Sequence, residues 1–261
     1  MRCAVVGHVE WVEFTSVPAM PPAGTIVQGR YLLDEPAGGG AVIARQLALL
    51  AGRCEFFTVL GADELGRRAE RRLAEVGIDV HAQRFGATRR GWVHVDGRGE
   101  RTITLLSEKL RPSGPLPLEG YDAVFFVSGD AAALRSARRA RFVAATAREL
   151  PTLREAGVHL DLLVGSARDP GEHYDGSVGA DVVVLTEGVN GGTVNGERYA
   201  AAPQPAPVGD TYGAGDSFSA ALCFALARGD SLPDAVALAT RAGAAVVAGH
   251  GPYTAQLSSE E

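Results

Sequence analysis

One glycine-rich turn, Asp210-Thr211-Tyr212-Gly213-Ala214-Gly215-Asp216-Ser217-Phe218, leads without a break into Ala220-Ala221-Leu222-Cys223-Phe224-Ala225-Leu226-Ala227. A helix that is apolar on every side has to be buried, so this stretch predicts a large core with an acid at the mouth of one inner helix. Gly213 and Gly215 permit backbone dihedrals that other residues resist, and they let a ligand approach the main chain. The first N–H groups of the helix point outward unpaired and, with the helix dipole, form an anion site. Gly213, Ala214 and Gly215 are its expected donors. Asp216 is out of place there unless it does chemistry, because a carboxylate repels a phosphate at close range. The chemistry that suits it is removal of a proton from a hydroxyl. Aspartate also caps helices, with a stabilisation of about 1 kcal/mol, so G-A-G-D alone leaves both roles open.

Strand-like and helical patterns alternate over the rest of the chain. Residues 3–6, 55–60 and 121–128 read as strands, residues 25–33 as extended, and helix and strand patterns alternate on through 142–145, 160–164 and 181–186. Gly38-Gly39-Gly40 opens an apolar helix over 41–50, an Arg-rich amphipathic helix runs from Asp63 to Val76 with Gly77 as its stop, and a last helix spans 232–247. The pairs Arg67-Arg68 and Arg71-Arg72 read as a solvated face. Asp96-Gly97-Arg98-Gly99-Glu100 joins residues 91–95 and 101–106 as a hairpin. The alternation implies a mostly parallel sheet covered on both faces, with ligands beyond the carboxyl ends of its strands. The first strand is followed by Gly7-His8-Val9-Glu10-Trp11-Val12 rather than by G-x-G-x-x-G, which disfavours a dinucleotide-binding dehydrogenase.

A chain of 261 residues that is 46% hydrophobic suits one α/β domain, 1–261, with a small appendage. Its formal net charge of −6 gives no basic surface for nucleic acid or membrane. Lys109 is the single lysine, so no other residue supplies a lysine phosphate clamp. Cys3, Cys54 and Cys223 lie in apolar runs and read as buried thiols of a reducing compartment. No run approaches 18 uninterrupted apolar residues and no signal peptide is evident, so a cytoplasmic location is expected.

The long string D-T-x-G-A-G-D-x-F closely resembles the second signature of the PfkB (ribokinase-like) family of carbohydrate kinases, and further likenesses follow the chain in order. Gly38-Gly39 looks like the family's sugar-contacting di-glycine. Residues 60–66, Leu-Gly-Ala-Asp-Glu-Leu-Gly, are similar to its V-G-D-D-x-x-G segment, and Gly99-Glu100-Arg101-Thr102-Ile103 to its G-E-R-x-x lid strand. Thr186-Glu187-Gly188-Val189-Asn190-Gly191-Gly192 resembles the T-x-G-x-x-G nucleotide loop. The resemblance implies a ribokinase-like three-layer α/β/α sandwich with a mostly parallel sheet and a small β lid formed by about 11–33 and 84–106. It implies an ATP-dependent sugar kinase with Mg²⁺ as cofactor, open to a monovalent cation. Open edges of the lid strands, independently of the resemblance, invite pairing into a homodimer. By that resemblance Asp216 is the catalytic base. Glu10, Trp11, Gly38 and Gly39 touch the sugar, Thr186, Gly188, Asn190, Gly191 and Gly249 touch the nucleotide, and Asp169 and Asp210 hold the metal through water.

The chain departs from the family pattern at three places. Glu10 and Val12, with Trp11 between them, stand where Asn and Asp usually hold sugar hydroxyls. An apolar residue, Val42 or Ile43, replaces an Asn in the first signature helix, and the N-x-x-E motif reads Ser166-Ala167-Arg168-Asp169. Two alternatives stay open at this point. One is a nucleoside acceptor, favoured by an aromatic such as Trp11 or Trp92 near the lid. The other is a non-catalytic sugar- or nucleotide-binding protein, favoured by the altered motifs.

Overall fold

The computed structural model describes residues 1–205 and 207–259. In chain order its strands are β1 Cys3–Val6, β2 Glu10–Ser16, β3 Arg30–Ala37, β4 Cys54–Leu60, β5 Asp79–Arg84, β6 Arg90–Val95 and β7 Arg101–Leu105. They continue with β8 Ala123–Phe126, β9 Phe142–Thr146, β10 Leu160–Ser166, β11 Ala180–Thr186, β12 Gly192–Val194 and β13 Glu197–Tyr199. The helices are α1 Gly39–Ala51, α2 Glu64–Glu75, α3 Ala131–Ala137, α4 Leu150–Ala156, α5 Ala214–Arg228 and α6 Leu232–Val246.

Nine strands form one sheet in the order β13-β12-β11-β10-β9-β8-β1-β4-β5. Pairing is parallel from β5 to β11, and β12 and β13 add an antiparallel edge. A strand covered on both faces can be apolar at every position, and all seven residues of β4 are buried. One face of the sheet packs on α1, α2, α5 and α6 through Phe56, Phe125, Leu47, Leu73 and Leu222. The opposite face packs on the shorter α3 and α4 through Val124, Phe126, Leu134 and Leu153. This is the expected α/β/α sandwich. No helix among the described residues is long and apolar enough to cross a membrane, and the three cysteines are buried and unpaired.

Four strands build a second sheet, in the order β3-β2-β6-β7. Its inner face brings Val12, Phe14, Val93 and Val95 onto Val42 of α1 and Tyr212, a separate small core. The hairpin turn between β6 and β7 is held by Asp96, whose Oδ1 accepts the N–H groups of Arg98 at 2.8 Å and Glu100 at 3.0 Å. Two expectations need correction. Residues 25–29 are not strand, and β3 starts only at Arg30. The Arg face of α2 is also not simply solvated: Arg72 pairs with Glu35 at 2.8 Å and Arg68 with Asp34 at 3.5 Å, tying α2 to β3.

Candidate active site

The carboxyl ends of the parallel strands, the first turns of α1 and α5, and the inner face of the small sheet meet in one place. Gly213, just before α5, has φ +79°. A side chain there would be strained by that conformation, and its Cβ would lie 3.0 Å from Val42 Cγ1. Ser217 N–H returns to the Gly213 carbonyl at 2.8 Å and starts the helix. The N–H groups of Ala214, Gly215 and Asp216 have no carbonyl one turn back, and no other heavy atom lies within 4 Å of where a Cβ of Gly215 would stand. The end of α5 is therefore an open set of donors. The half-buried Asp216 carboxylate lies against α1, so that a Cβ on Gly39 would come within 2.8 Å of its Oδ1. Burial pushes the Asp216 carboxyl up to about 6, Arg101 and Arg148 draw it back, and Glu172 and Glu10 add to the rise.

Glu10 opens β2 on its inner face, beside Gly38, and pairs with the buried Arg89 at 3.0 Å. Burial raises its carboxyl while Arg89 and Lys109 lower it. Gly38 N–H donates to Tyr212 Oη at 2.9 Å, fixing the start of α1 against the loop before α5. His8 Nδ1 lies 3.1 Å from Ser128 Oγ. Burial first, then Lys109, Arg89, Arg111 and Arg148, hold His8 well below the usual imidazole range. It is a packed, neutral histidine at the strand end. Trp11 is a correction: strand alternation turns it away from Glu10 into the main core, where its Nε1 donates to Asp34 at 2.9 Å and Arg68 covers its ring at 4.5 Å. It offers no stacking surface to a ligand. Val42, not Ile43, is the apolar residue that faces the lid, since Ile43 belongs to the main core.

The loop after β11 turns through Gly188–Asn190, with Val189 60% exposed. Thr186 Oγ1 donates to the Gly165 carbonyl at 3.3 Å, and Arg168 Nη1 stands 3.1 Å from where a Cβ of Gly188 would be. Gly191 and Gly249 are glycines for reasons of chain packing, because added Cβ atoms would fall 2.0 Å from the Tyr199 carbonyl and 2.2 Å from Thr254 Oγ1. Asp169 accepts Gly171 N–H at 2.8 Å and pairs with Arg148, which also holds Glu172 at 2.7 Å. Asp210 is the second correction. It is fully buried, and its two oxygens accept Tyr212 N–H at 2.9 Å and Gly251 N–H at 2.8 Å, so it staples the loop before α5 rather than offering itself to an ion. Reading the sequence missed Arg89, Arg101, Arg148 and Glu172, whose charges all bear on His8, Glu10 or Asp216. Glu172 has a signal in hindsight, since it lies one Pro170-led turn beyond the altered N-x-x-E motif. Asp169 and Glu172, sharing one arginine, fit a Mg²⁺ that is held mainly by nucleotide phosphates.

A model of the pfkB family carbohydrate kinases matches residues 2–134 and 160–259. The chain belongs to the PfkB family. Among its relatives, the aminoimidazole riboside kinase of Salmonella typhimurium is 26% identical over 269 aligned positions, covering 84% of each protein. The ribokinase of Thermotoga maritima superposes with a TM-score of 0.77 at 19% identity, over 100% of this chain and 97% of that one. That of Arabidopsis thaliana, solved with ribose and ATP, gives 0.74 at 18% identity over 99% and 96%. In this PfkB chain the matched segments hold β1, α1, both halves of the lid and the whole α5 turn. Residues 135–159, with Arg148 and Glu149, lie between them.

Proposed function

We propose that this PfkB-family kinase transfers the γ-phosphoryl group of ATP to a hydroxyl of a small sugar or sugar-like alcohol. The observation that carries the reading is the Asp216 carboxylate, placed between the open N–H groups of α5 and the Gly38-Gly39 start of α1. A sugar resting on Gly38 and Gly39 meets Asp216 at its reacting hydroxyl, and Asp216 accepts that proton as the oxygen attacks. General-base catalysis of this kind contributes on the order of 10²–10⁴ in rate. The N–H groups of Gly213, Ala214, Gly215 and Asp216 stabilise the charge spread over the moving phosphoryl group, each worth roughly 3 kcal/mol when lost singly. The nucleotide lies toward Thr186, Gly188 and Asn190, with Arg168 above the loop. Mg²⁺, when bound with the nucleotide, neutralises phosphate charge, with Asp169 and Glu172 as its carboxylates through water. The lid excludes water that would otherwise take the phosphoryl group.

The nucleoside reading loses its motive, because Trp11 is buried and Trp92 alternates with Val93 and lies on the outer face of the lid. The outer face of the lid, with Tyr31 and Trp92 exposed, and its open edge strand β7 support pairing with a second copy. Three buried free thiols fit a reducing, cytoplasmic compartment. The test is ADP release from Mg-ATP across pentoses, hexoses, keto-deoxy sugars and nucleosides, for the wild type beside Asp216→Asn. One acceptor raising turnover, with the variant at least about 10²-fold slower, supports the reading. Equal turnover in both proteins with every acceptor overturns it.

A further inference from the structure

At the end of the main sheet away from Asp216, where β4 and its edge neighbour β5 begin, two carboxylates and an imidazole converge. The parallel register sets Glu55 beside Asp79 and Phe57 beside His81. Alternate residues of a strand share a face, so all four side chains stand on the same side of the sheet. Glu55 is the one charged residue of β4, and it is only 9% exposed. Its Oε2 lies 3.1 Å from His81 Nε2, and Asp79 Oδ1 lies 3.9 Å from the same nitrogen. The three atoms are all within 4.8 Å of one another, and among the described residues no other three His, Cys, Asp or Glu side chains meet in this way.

The second oxygen of each carboxylate is already held. Arg2 Nε donates to Glu55 Oε1 at 3.1 Å, and Arg53 Nη2 donates to Asp79 Oδ2. Both acids are thereby turned with one oxygen toward the imidazole. Arg2 is fixed in turn by Tyr121, donating to its Oη at 3.0 Å and covering its ring. The imidazole is fixed too, stacked on buried Phe57 with centroids 4.7 Å apart and planes 12° apart. Burial acts to raise the Glu55 carboxyl, but hydrogen bonds with Tyr121 and Arg2 and the charges of Arg2 and His81 hold it below its ordinary range. It is ionised at neutral pH, as a metal ligand has to be.

Arg2 and Arg53 match Glu55 and Asp79 one to one, so the imidazole has no acid left to balance as a cation and stands as a nitrogen donor between two oxygen donors. Imidazole selects transition ions, while Mg²⁺ and Ca²⁺ prefer oxygen throughout. A tetrahedral Zn²⁺ about 2.1 Å from each ligand sets its ligands roughly 3.4 Å apart, a spacing that the 3.1 and 3.9 Å separations straddle. Ligating carboxylates are themselves hydrogen-bonded in metal sites, which is the place Arg2 and Arg53 take. Those two side chains are 55% and 72% exposed, so water screens their repulsion of an ion. Asp79 and His81 are also partly exposed, which leaves a path for the ion and room for a water as fourth ligand.

We propose that Glu55, Asp79 and His81 bind one Zn²⁺ or kindred transition-metal ion, which pins the edge strand β5 to β4 in a site separate from the phosphoryl-transfer centre and independent of the kinase reading. The test is equilibrium dialysis of the metal-stripped full chain against Zn²⁺ at about pH 7.5, read by elemental analysis, with thermal melts of the same samples. Saturable binding of one Zn²⁺ per chain is expected, with a Tm that climbs with Zn²⁺ concentration. His81→Gln and Asp79→Asn should each weaken binding at least about tenfold. His159→Gln, which removes an exposed histidine paired only with Asp181, should leave it unchanged. Affinity should fall toward pH 5.5, because the ligands bind only without their protons. The partial exposure of Asp79 and His81 lets these variants fold, and an unchanged melt without metal would show that they do. Binding that His81→Gln and Asp79→Asn both retain at wild-type affinity, or no saturable binding at all, overturns the proposal. The three side chains are then an ion-pair network, with a protonated His81 between its two acids.

Discussion

In the proposed reaction Asp216 has to be ionised to accept a proton, yet its burial favours the protonated form. With its carboxyl pushed up to about 6, kcat/KM should fall about tenfold per pH unit below that value and level off above it, and Asp216→Asn should lose the limb along with the activity. The same shift has a stability consequence of opposite sense to that of a salt-bridged acid. Between the ordinary aspartate value and about 6 the folded state keeps a proton that the unfolded chain has released, so this group's contribution to stability declines as pH rises through that window. Above it the ionised, buried carboxylate is a constant cost. Asp216→Asn should therefore raise stability by roughly 1–3 kcal/mol at pH 7.5 and by nothing at pH 3.5, which thermal melts at the two values would read. A variant less stable than the wild type at pH 7.5 would contradict the burial argument. The place of Asp216 in the first turn of a buried helix was legible in the sequence because its neighbours fix a helix start. Trp11 and Asp210 were not, because side-chain direction depends on which face a strand turns to the core and on which amides a loop presents. Those choices are made by tertiary packing, not by residue type.

The element that holds the site together is the first turn of α1. Gly40 lies where an added Cβ would be 2.6 Å from the His8 carbonyl, so α1 is pressed against the end of β1. Gly39 is pressed in the same way against Asp216. Gly39→Ala should push the Asp216 side chain off its position while leaving most of the helix in place, and misplacement by about 1 Å is enough to cost on the order of 10² in rate. Kinetics and a thermal melt on that variant would check it, the expected outcome being a large loss in kcat with a small change in Tm. Activity within a few-fold of wild type would mean that Asp216 does not depend on this contact. Helices and strands were legible as elements, since uninterrupted apolar runs and glycine stops mark them. Their partnerships were less so: the Arg face of α2 looked solvated because nothing local in the sequence announces that Asp34 and Glu35 of β3 will cross to meet Arg68 and Arg72.

At the scale of the molecule the two sheets differ in what holds them. The nine-stranded sheet has helices on both faces, while the lid rests on one small core around Phe14, Val42 and Tyr212, and every residue of β7 is exposed. Backbone segments with few buried apolar contacts open at the low end of the local stability scale. Amides of β7 should therefore exchange with deuterium well before those of β1 or β4 in the free protein. They should slow when an acceptor and a non-hydrolysable ATP analogue are added together, because Arg101, Ile103 and Leu105 share the face of the lid that overlooks Asp216. Protein concentration separates this from pairing between copies. Protection of β7 that appears with concentration and without ligand means that a second lid covers the edge strand, whereas protection that needs both ligands means closure over the site. If β7 exchanges as slowly as β1 at low concentration and without ligand, the lid is already a rigid wall, and water must be kept from the phosphoryl group by the fit of the acceptor alone.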